Sequence, residues 1–233
     1  MADATLDTYH ALTQRRRLQA AATPGEAPPT LSGRAHLAAL ARPLEALERE
    51  VDRIDAWGKL LARVLLGGGR LLAAGNGGSA AQAQHLTSEL VGRYCRDRAP
   101  LSALALHAET SSLTAIANDY GADEAFARQV RAHGRPGDVL LVLTTSGRSP
   151  NIVAAVEAAL DGGLTTWAVT GPAPNPVAEL CHGALAVDAD TTATVQEIHQ
   201  IVVHMLCAAV DGEVHMSVAS ATEQLEEAIR YGA

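Results

Sequence analysis

Lysine is almost absent from this sequence. Lys59 is the only lysine among 233 residues, and it lies in an Ala/Leu-rich helical stretch away from every polar motif. Schiff-base chemistry, including that of pyridoxal phosphate (PLP), needs a lysine at the reacting centre. The scarcity of lysine therefore argues against a PLP cofactor and against lysine-based covalent catalysis.

Cysteines are also few and irregularly spaced. Cys95, Cys181 and Cys207 are odd in number and form no CxxC pair, so a disulfide framework or a cysteine-based metal site is not expected. The sequence contains no uninterrupted apolar run of about 18 residues, and its N-terminal segment has no signal-peptide core. We therefore expect a cytoplasmic protein with free thiols and without a membrane partner.

Positive charge is in deficit. The formal net charge is −8 and the isoelectric point is about 5.5. The short run Arg15-Arg16-Arg17 is typical of a solvated helix face rather than of a binding patch. Without a basic stripe, we do not expect nucleic acid as a partner.

Helical and strand-like segments alternate along most of the chain. Helical periodicity covers residues 6–22 and 37–66, with a Pro/Gly-rich segment at 24–32 between them. Two final helices are predicted over residues 195–210 and 218–230. The predicted strands cover residues 70–74, 101–106, 139–143, 165–170 and 184–187.

This alternation, in a chain that is 48% hydrophobic, predicts an α/β fold. We expect a three-layer sandwich with a mainly parallel sheet and added N-terminal helices. We divide the chain into an N-terminal helical extension with its Pro-rich loop, residues 1–33, and a single domain, residues 34–233. In such a sheet, ligands bind beyond the carboxyl ends of the strands.

A glycine-rich turn, Gly75–Ser79, follows the first predicted strand and opens a helix. Together with Ala80 it formally matches a dinucleotide fingerprint. That fingerprint expects an acid at the end of the next strand, where His107 stands and Glu109 comes late. Glycines let backbone N–H groups approach an anion, so we favour a phosphate- or sugar-binding turn. A nicotinamide site and a tight turn without ligand are the alternatives.

A hydroxyl-rich segment, Thr144–Ser149, follows a predicted buried strand. Ser149 is placed to be a helix N-cap, with Pro150 as the first helical residue. A phosphate there would meet the helix dipole, free N–H groups and hydroxyl donors together. The alternative is an ordinary capped turn. No GxxxxGK motif is present, so no nucleotide loop is implied.

Two pairs of polar residues have helical spacing. His85 and Glu89 are four residues apart, and Gln196 and His204 are eight apart, so each pair shares one side of a helix. If the fold joins the two faces, a carboxylate, two imidazoles and an amide meet beside the glycine-rich turn. The alternatives are solvated helix faces and, for His204, a hydrogen-bonded core histidine.

In combination these motifs become recognisable. GNGGS-x5-HxxxE, ANDYG, TTSGRSPN and QEIHxxxxH resemble the sedoheptulose-7-phosphate isomerase (phosphoheptose isomerase) family of the sugar-isomerase (SIS) fold group. The resemblance covers about residues 35–212, in the family order. It implies a Rossmann-like SIS fold, interconversion of D-sedoheptulose 7-phosphate and D-glycero-D-manno-heptose 7-phosphate, and a homotetramer.

The resemblance also implies roles for individual residues. Glu89 and His204 match the catalytic acid–base pair. Some family members hold zinc through residues matching His85, Glu89, Gln196 and His204. The expected substrate-binding residues are Asn76, Gly77, Gly78, Ser79, Glu89, Arg93, Asn118, Asp119, Thr144, Thr145, Ser146, Ser149 and Gln196. The family usually has serine where Thr144 stands, a change that keeps the hydroxyl.

The chemistry suits these residues. Aldose–ketose isomerisation moves a proton between adjacent carbons through an enediol, for which a carboxylate and an imidazole are suitable partners. Two imidazoles, a carboxylate and an amide oxygen make a rather weak zinc set, and bound zinc would polarise the carbonyl. No nucleotide is needed.

Two other functions remain open. A related SIS branch contains non-catalytic adaptors that bind a replication-initiator protein, and that branch lacks the acid matching Glu89 and replaces the histidine matching His204. The second alternative is an isomerase or a sensor for another phosphosugar, which the fold alone does not exclude. The presence of both Glu89 and His204 favours an enzyme.

Overall fold

The computed structural model describes residues 32–231. The predicted helix over residues 6–22 and nearly all of the Pro/Gly-rich segment lie outside the described residues. The chain divides into two units between Ala38 and Ala39. Helix α1 (Gly33–Ala39) begins in the first unit, and the elements below belong to the second. The predicted domain boundary at residue 33 stays a prediction.

The predicted helix over residues 37–66 is divided in the structure. Helix α2 (Ala41–Leu47) is followed by a 3₁₀ turn (Glu48–Glu50) and helix α3 (Val51–Leu66). Pro43 lies in the first turn of α2. Backbone N–H groups in the first turn have no partner within the helix, so the missing N–H of proline costs no helical hydrogen bond. Pro43 is therefore compatible with the beginning of α2.

Five strands form one parallel sheet. They are β1 (Leu71–Gly75), β2 (Ala103–Ala105), β3 (Val139–Thr144), β4 (Thr165–Thr170) and β5 (Gly183–Ala186). The strand order is β2-β1-β3-β4-β5. Strands β1 and β3 are buried throughout, as expected for strands covered on both faces.

Helices cover both faces of the sheet. The six that follow β1 are α4 (Gly78–Val91), α5 (Thr110–Tyr120), α6 (Glu124–His133), α7 (Pro150–Asp161), α8 (Pro176–Leu180) and α9 (Thr192–Tyr231). One core contains buried side chains of α3, α4 and α9, and the other contains those of α6, α7 and α8. Along β1, Leu71 and Ala73 enter the first core, and Leu72 and Ala74 the second. The predicted three-layer α/β sandwich is confirmed.

The last helix differs from its prediction. The two helices predicted over residues 195–210 and 218–230 form one 40-residue helix, α9. The segment between them contains Gly212 but no proline, and a single glycine does not end a helix. By length and composition alone, residues 192–224 could cross a membrane. The core helix of a soluble protein meets the same criterion, and Ile198, Val202 and Leu206 of α9 lie in the core.

The strand order places two loops side by side. The chain leaves β1 towards β2 on one side, and β3 lies on the other side of β1. This is the point where the strand order reverses, and in open α/β sheets it forms a crevice at the carboxyl ends of the strands. Gly75 pairs in register with Leu143. The glycine-rich turn and the hydroxyl-rich segment therefore flank this crevice.

Candidate active site

The glycine-rich turn depends on close backbone contacts. A Cβ on Gly75 would lie 2.5 Å from the Ser79 carbonyl oxygen, and a Cβ on Gly78 would lie 2.5 Å from Nε2 of Gln196. Gly77 has φ +56, a conformation that favours glycine. The three glycines thus let β1 turn directly into α4 and let Gln196 of α9 approach the turn.

A pair of side-chain amides joins the two loops of the crevice. Asn76 Nδ2 donates to Asn151 Oδ1, and Asn151 Nδ2 donates to Asn76 Oδ1, both at 2.9 Å. Asn151 lies in the first turn of α7. The reciprocal bonds hold the predicted sugar-contacting residue Asn76 beside the hydroxyl-rich segment.

The hydroxyl-rich segment curls around its own backbone. The Gly147 N–H donates to Thr144 Oγ1 and the Arg148 N–H to Ser146 Oγ, both at 3.2 Å. Gly147 has φ +62, and a Cβ on it would lie 1.9 Å from Asn175 Oδ1. Because the loop packs this tightly against Asn175, its backbone is fixed before any ligand arrives.

Ser149 and Pro150 stand where the sequence predicts them, at the N-cap and the first position of α7. Within the described residues, however, the Ser149 side chain caps none of the backbone N–H groups of α7. A side chain at an N-cap position that makes no cap bond can donate to an anion at the same helix end. Thr145 is half-buried and Ser146 is exposed on the same loop.

Helices α4 and α9 carry a connected polar cluster. His85 Nε2 lies 3.0 Å from Glu89 Oε1. Nε2 of Gln200 lies 3.2 Å from His85 Nδ1 and 3.2 Å from His204 Nε2. The two imidazole rings meet edge to face with centroids 5.1 Å apart. The expected meeting of a carboxylate and two imidazoles therefore occurs, and the amide that joins them is that of Gln200.

The cluster lies farther from the glycine-rich turn than the sequence suggests. His85 follows Gly78 by seven residues, which is about 10 Å along a helix. Gln196 is the residue of α9 that lies beside the turn. Its backbone carbonyl oxygen accepts a hydrogen bond of 2.5 Å from Gln82 Nε2. An open cavity of about 310 Å³ extends from the turn to Gln200, and its lining residues are Gly78, Gln82, Ala193, Gln196, Glu197 and Gln200.

Tyr94 and His199 also contribute rings near the cluster, one in contact with His204 and the other with β4. The Tyr94 ring stacks on His204 with centroids 5.9 Å apart, and burial raises the pKa of Tyr94. His199 is fully buried, and its Nε2 donates to the Thr170 carbonyl oxygen at 3.1 Å. Burial lowers the pKa of His199 to about 4, so its ring is neutral at pH 7 and fastens α9 to the end of β4.

A buried ion pair closes the far end of the cluster. Arg98 Nε donates to Asp211 Oδ1 at 2.7 Å, and the side chains are 3% and 9% exposed. The guanidinium also donates to the carbonyl oxygens of Glu89 and Leu90 at 2.8 and 2.9 Å. Arg98 thereby caps the C-terminal end of α4 and ties it to α9, which fixes the helix that carries Glu89.

Three predicted substrate residues have other contacts in the single chain. Arg93 follows the end of α4, and its Nη1 donates to the Cys95 carbonyl oxygen at 3.3 Å. Asn118 Nδ2 donates to Asp119 Oδ1 at 2.8 Å near the end of α5. The described bonds of these residues do not reach the α4–α9 cluster, and their roles remain predictions.

Glu109, the late acid of the dinucleotide alternative, has a structural role. Its carboxylate accepts bonds from the backbone N–H groups of Ser111 and Ser112 at the start of α5. These hydrogen bonds, that of Ser112 first, lower the pKa of Glu109. Because Glu109 is a helix N-cap, its carboxylate is already bonded to backbone N–H groups. The dinucleotide alternative therefore lacks an acid to hold a ribose.

The donors of the cluster suit zinc in kind, since zinc accepts imidazole nitrogen and carboxylate oxygen. Among the residues that the structure describes, no three His, Cys, Asp or Glu side chains converge on one point. The two nitrogens of His85 face different partners, Glu89 and Gln200. The residue types therefore fit a zinc site. In the described chain, hydrogen bonds connect these side chains instead.

Comparison with known proteins identifies the family. Residues 35–171 match the SIS domain. The chain is 64% identical over 168 residues to phosphoheptose isomerase from Streptomyces coelicolor, which covers 72% of this chain and 73% of that protein.

Two solved structures agree with this match. The phosphoheptose isomerase from Neisseria gonorrhoeae has a TM-score of 0.71 at 39% identity and covers 76% of this chain and 96% of its own. The one from Francisella tularensis has a TM-score of 0.70 at 37% identity and covers 77% and 94%. The chain therefore belongs to the phosphoheptose isomerase family of SIS-domain proteins.

Proposed function

We propose that this isomerase interconverts D-sedoheptulose 7-phosphate and D-glycero-D-manno-heptose 7-phosphate. The observation that carries the proposal is the connected cluster of His85, Glu89, Gln200 and His204 on α4 and α9. It occurs in a chain whose crevice carries a fixed hydroxyl-rich loop at a helix N-terminus. Acid–base groups and an anion cradle are what a phosphosugar isomerase needs.

Substrate binding begins at the phosphate. We assign the phosphate to Thr144, Thr145, Ser146 and Ser149, where hydroxyl donors and the N-terminus of α7 favour an anion. The sugar hydroxyls are assigned to the turn Asn76–Ser79, to Gln196, and to Arg93, Asn118 and Asp119. The reciprocal amide pair Asn76–Asn151 supports one continuous binding surface across the crevice.

The reaction is a proton transfer within the substrate. In the direction from ketose to aldose, one member of the pair Glu89 and His204 removes a proton from C1, and the carbonyl oxygen at C2 is protonated. The resulting enediol loses its C1 hydroxyl proton and regains a proton at C2, which gives the aldose. Electrons and atoms balance without any redox cofactor.

We propose one zinc ion per site, held by His85, Glu89, Gln196 and His204. Bound zinc would polarise the substrate carbonyl. The donor types of the cluster support this assignment. If zinc is required, chelation abolishes turnover and added zinc restores it. A fully active preparation that is metal-free by elemental analysis would contradict the requirement and leave the acid–base pair standing.

We also propose that the sites form between copies of the chain in a homotetramer. Glu89 follows Gly78 by eleven residues of α4, or about 16 Å along the helix axis, and a second copy of the chain would close the site over this distance. Beyond the core, α9 exposes Met216 and Val218, which offer apolar surface for a second copy. Light scattering should give the mass of four chains; a fully active monomer would contradict this assembly.

A cytoplasmic location is part of the proposal. Cys95, Cys181 and Cys207 are free thiols, as is usual in a reducing compartment. Burial raises the pKa of Cys181 to about 11 and that of Cys207 to about 12. These two thiols therefore stay protonated and unreactive near neutral pH.

The deciding experiment is incubation with sedoheptulose 7-phosphate in the absence of nucleotide, followed by NMR of the sugar phosphates. We expect the signals of a heptose aldose phosphate. Ribulose, fructose and N-acetylmannosamine phosphates are incubated in the same way, to test whether the protein acts on another phosphosugar. Binding without conversion of any of them would favour the adaptor or sensor functions, and faster conversion of another phosphosugar would change the substrate.

A further inference from the structure

Two asparagines link the glycine-rich turn to helix α7 across the crevice. Asn76 Nδ2 donates to Asn151 Oδ1, and Asn151 Nδ2 donates to Asn76 Oδ1, both at 2.9 Å. Among the residues that the structure describes, no other side-chain hydrogen bonds join the turn to α7 or to the hydroxyl-rich segment. Hydrogen bonds to an amide oxygen lie close to the plane of the amide, so two such bonds fix both the separation and the mutual orientation of the groups.

The two asparagines have supports of different stiffness. Asn151 is the second residue of α7, two positions after the N-cap Ser149, and it is half-buried. Asn76 is exposed, and the next two residues, Gly77 and Gly78, are exposed glycines. Because glycine restricts its own backbone least, Asn76 is the member of the pair that needs support, and Asn151 supplies it from a helix.

The pair leaves hydrogen-bonding groups of Asn76 open to a ligand. A side-chain amide has two N–H donors and an oxygen with two lone pairs. Asn151 engages one donor and one lone pair of Asn76, so one of each stays open on an exposed side chain. A sugar hydroxyl both donates and accepts hydrogen bonds, and it can therefore use either group.

Asn151 also belongs to the phosphate end of the crevice. Its backbone N–H lies in the first turn of α7, where N–H groups have no partner within the helix and favour an anion. Ser149 of the same turn is part of the proposed phosphate cradle, Thr144–Ser149. The distance from this cradle to the Asn76 amide is therefore fixed through Asn151 rather than through the glycine-rich turn.

We propose that Asn151 is a positioning residue that holds the Asn76 amide at a fixed distance from the phosphate cradle and thereby selects the carbon-chain length of the phosphosugar. A chain anchored by its phosphate presents a hydroxyl to Asn76 only when the number of carbons between them matches this distance. A chain one carbon shorter has to give up one of the two contacts. The inference rests on the proposed function, because it takes phosphate in the cradle and a sugar hydroxyl at Asn76.

Calorimetric binding of two sugar-alcohol phosphates tests the proposal without turnover. Heptitol 7-phosphate and hexitol 6-phosphate differ by one carbon in length, and neither has a carbonyl group to isomerise. We expect the wild type to prefer the longer chain. Asn151→Leu keeps the size of the side chain and loses both hydrogen bonds, so the ratio of the two Kd values should fall about three- to tenfold, the scale of one hydrogen bond.

Inorganic phosphate is the control ligand, and its Kd should stay within about twofold of the wild-type value in Asn151→Leu, because the cradle is unchanged. A parallel loss of phosphate affinity would mean that Asn151 supports the cradle itself, which would overturn the proposal. Equal affinity of the wild type for the two chain lengths, or an unchanged ratio in Asn151→Leu, would overturn it as well.

A double-mutant cycle tests whether Asn151 acts through Asn76. If it does, the variant that combines Asn76→Ala with Asn151→Ala should have the chain-length ratio of Asn76→Ala alone, within about twofold. A further loss in the double variant would refute the positioning role. Glu157→Gln, on the exposed side of α7, is the matched control and should keep the wild-type ratio.

The result for Asn151 can be separated from the result for the reaction. The expected length preference and its loss in Asn151→Leu, in a protein that does not isomerise sedoheptulose 7-phosphate, would support the role of Asn151 and contradict the proposed function. Isomerisation of sedoheptulose 7-phosphate together with an unchanged length preference in Asn151→Leu would support the reaction and contradict the role of Asn151.

Discussion

The segment Thr144–Ser149 and the α4–α9 cluster belong to the same candidate site but are built in different ways. The segment is six consecutive residues whose backbone bonds to its own side chains. The cluster joins residues 115 positions apart, through the side chains of two helices. The proposed anion binding would therefore rest on local backbone geometry, and the proposed proton transfer would rest on how α4 and α9 pack.

The hydroxyl-rich segment and the α4–α9 cluster are also held in place by different contacts. The hydroxyl-rich segment is held by tight backbone approaches, with Gly147 against Asn175 and Gly171 against the Thr145 carbonyl oxygen. The cluster is held by the ion pair Arg98–Asp211 at one end and by Gln196 over Gly78 at the other. Substitutions should accordingly affect substrate affinity in the first region, and stability and turnover in the second.

The largest effect is expected at the ion pair. Arg98→Met leaves Asp211 buried without its partner and removes the cap of α4, so the free energy of unfolding should fall by about 3–5 kcal/mol. Urea denaturation measures it. Arg63→Met, which breaks the more exposed pair with Glu213, should cost less than about 1 kcal/mol. Equal losses in the two variants would mean that burial of the pair does not matter.

His199 connects the two regions, because it fastens α9 to the end of β4 beside Gly171. Its pKa is lowered to about 4 by burial, while the unfolded chain has an ordinary histidine pKa of about 6.5. The unfolded state thus binds more protons between these values, and stability falls as the pH drops from about 6.5 towards 4. In His199→Gln this slope should be shallower; an unchanged slope would place the acid sensitivity elsewhere.

Turnover should depend on the acid–base pair. Glu89→Gln and His204→Ala are each expected to lower kcat at least about a hundredfold, the scale of general acid–base catalysis, while circular dichroism shows an intact fold. Glu223→Gln, on the exposed end of α9, is the matched control and should keep the wild-type rate. Near-native turnover in either cluster variant would remove that residue from the mechanism.

Affinity should depend on the hydroxyl-rich segment. Ser146→Ala removes a donor from the proposed phosphate cradle, and we expect KM to rise about threefold to tenfold, the scale of one hydrogen bond, with kcat nearly unchanged. Steady-state kinetics on sedoheptulose 7-phosphate measures it. A fall in kcat at constant KM would show that the segment acts on the chemical step instead.

The smallest expected effect is on stability at Ser149. Its side chain makes no capping bond with α7 in the described chain, so Ser149→Ala should cost less than about 0.5 kcal/mol, below the usual value of about 1 kcal/mol for a lost N-cap. Its KM should nevertheless rise as in Ser146→Ala. A full capping penalty in thermal unfolding would mean that Ser149 acts on the helix rather than on the ligand.

The same contrast explains what the sequence could predict. The strand Thr165–Thr170 was predicted at its observed bounds, because buried strands carry local signals. The hydroxyl-rich segment was predictable for the same reason. The break predicted between residues 210 and 218 was wrong, because the segment contains one glycine, Gly212, and no proline, and a single glycine does not end a helix.

Long-range partners were beyond sequence reasoning. Gln200 stands one turn after Gln196 and looks like part of a solvated first turn until α4 packs against it. Tyr94 and Arg98 follow the end of α4, and their contacts with His204 and Asp211 depend on the packing of α9. The helical spacing of His85 with Glu89 was visible, but which residue of α9 bonds with the histidines was set by the fold.

Proton transfer by the α4–α9 cluster is tested most directly by isomerisation of sedoheptulose 7-phosphate in D₂O, with the aldose product followed by NMR. A proton that passes through Glu89 or His204 exchanges with solvent, so we predict deuterium at C2 of the aldose formed by the wild type and no such product from Glu89→Gln or His204→Ala. Product that carries only protium at C2 after many turnovers, or deuterated product from both variants at the wild-type rate, would contradict the mechanism.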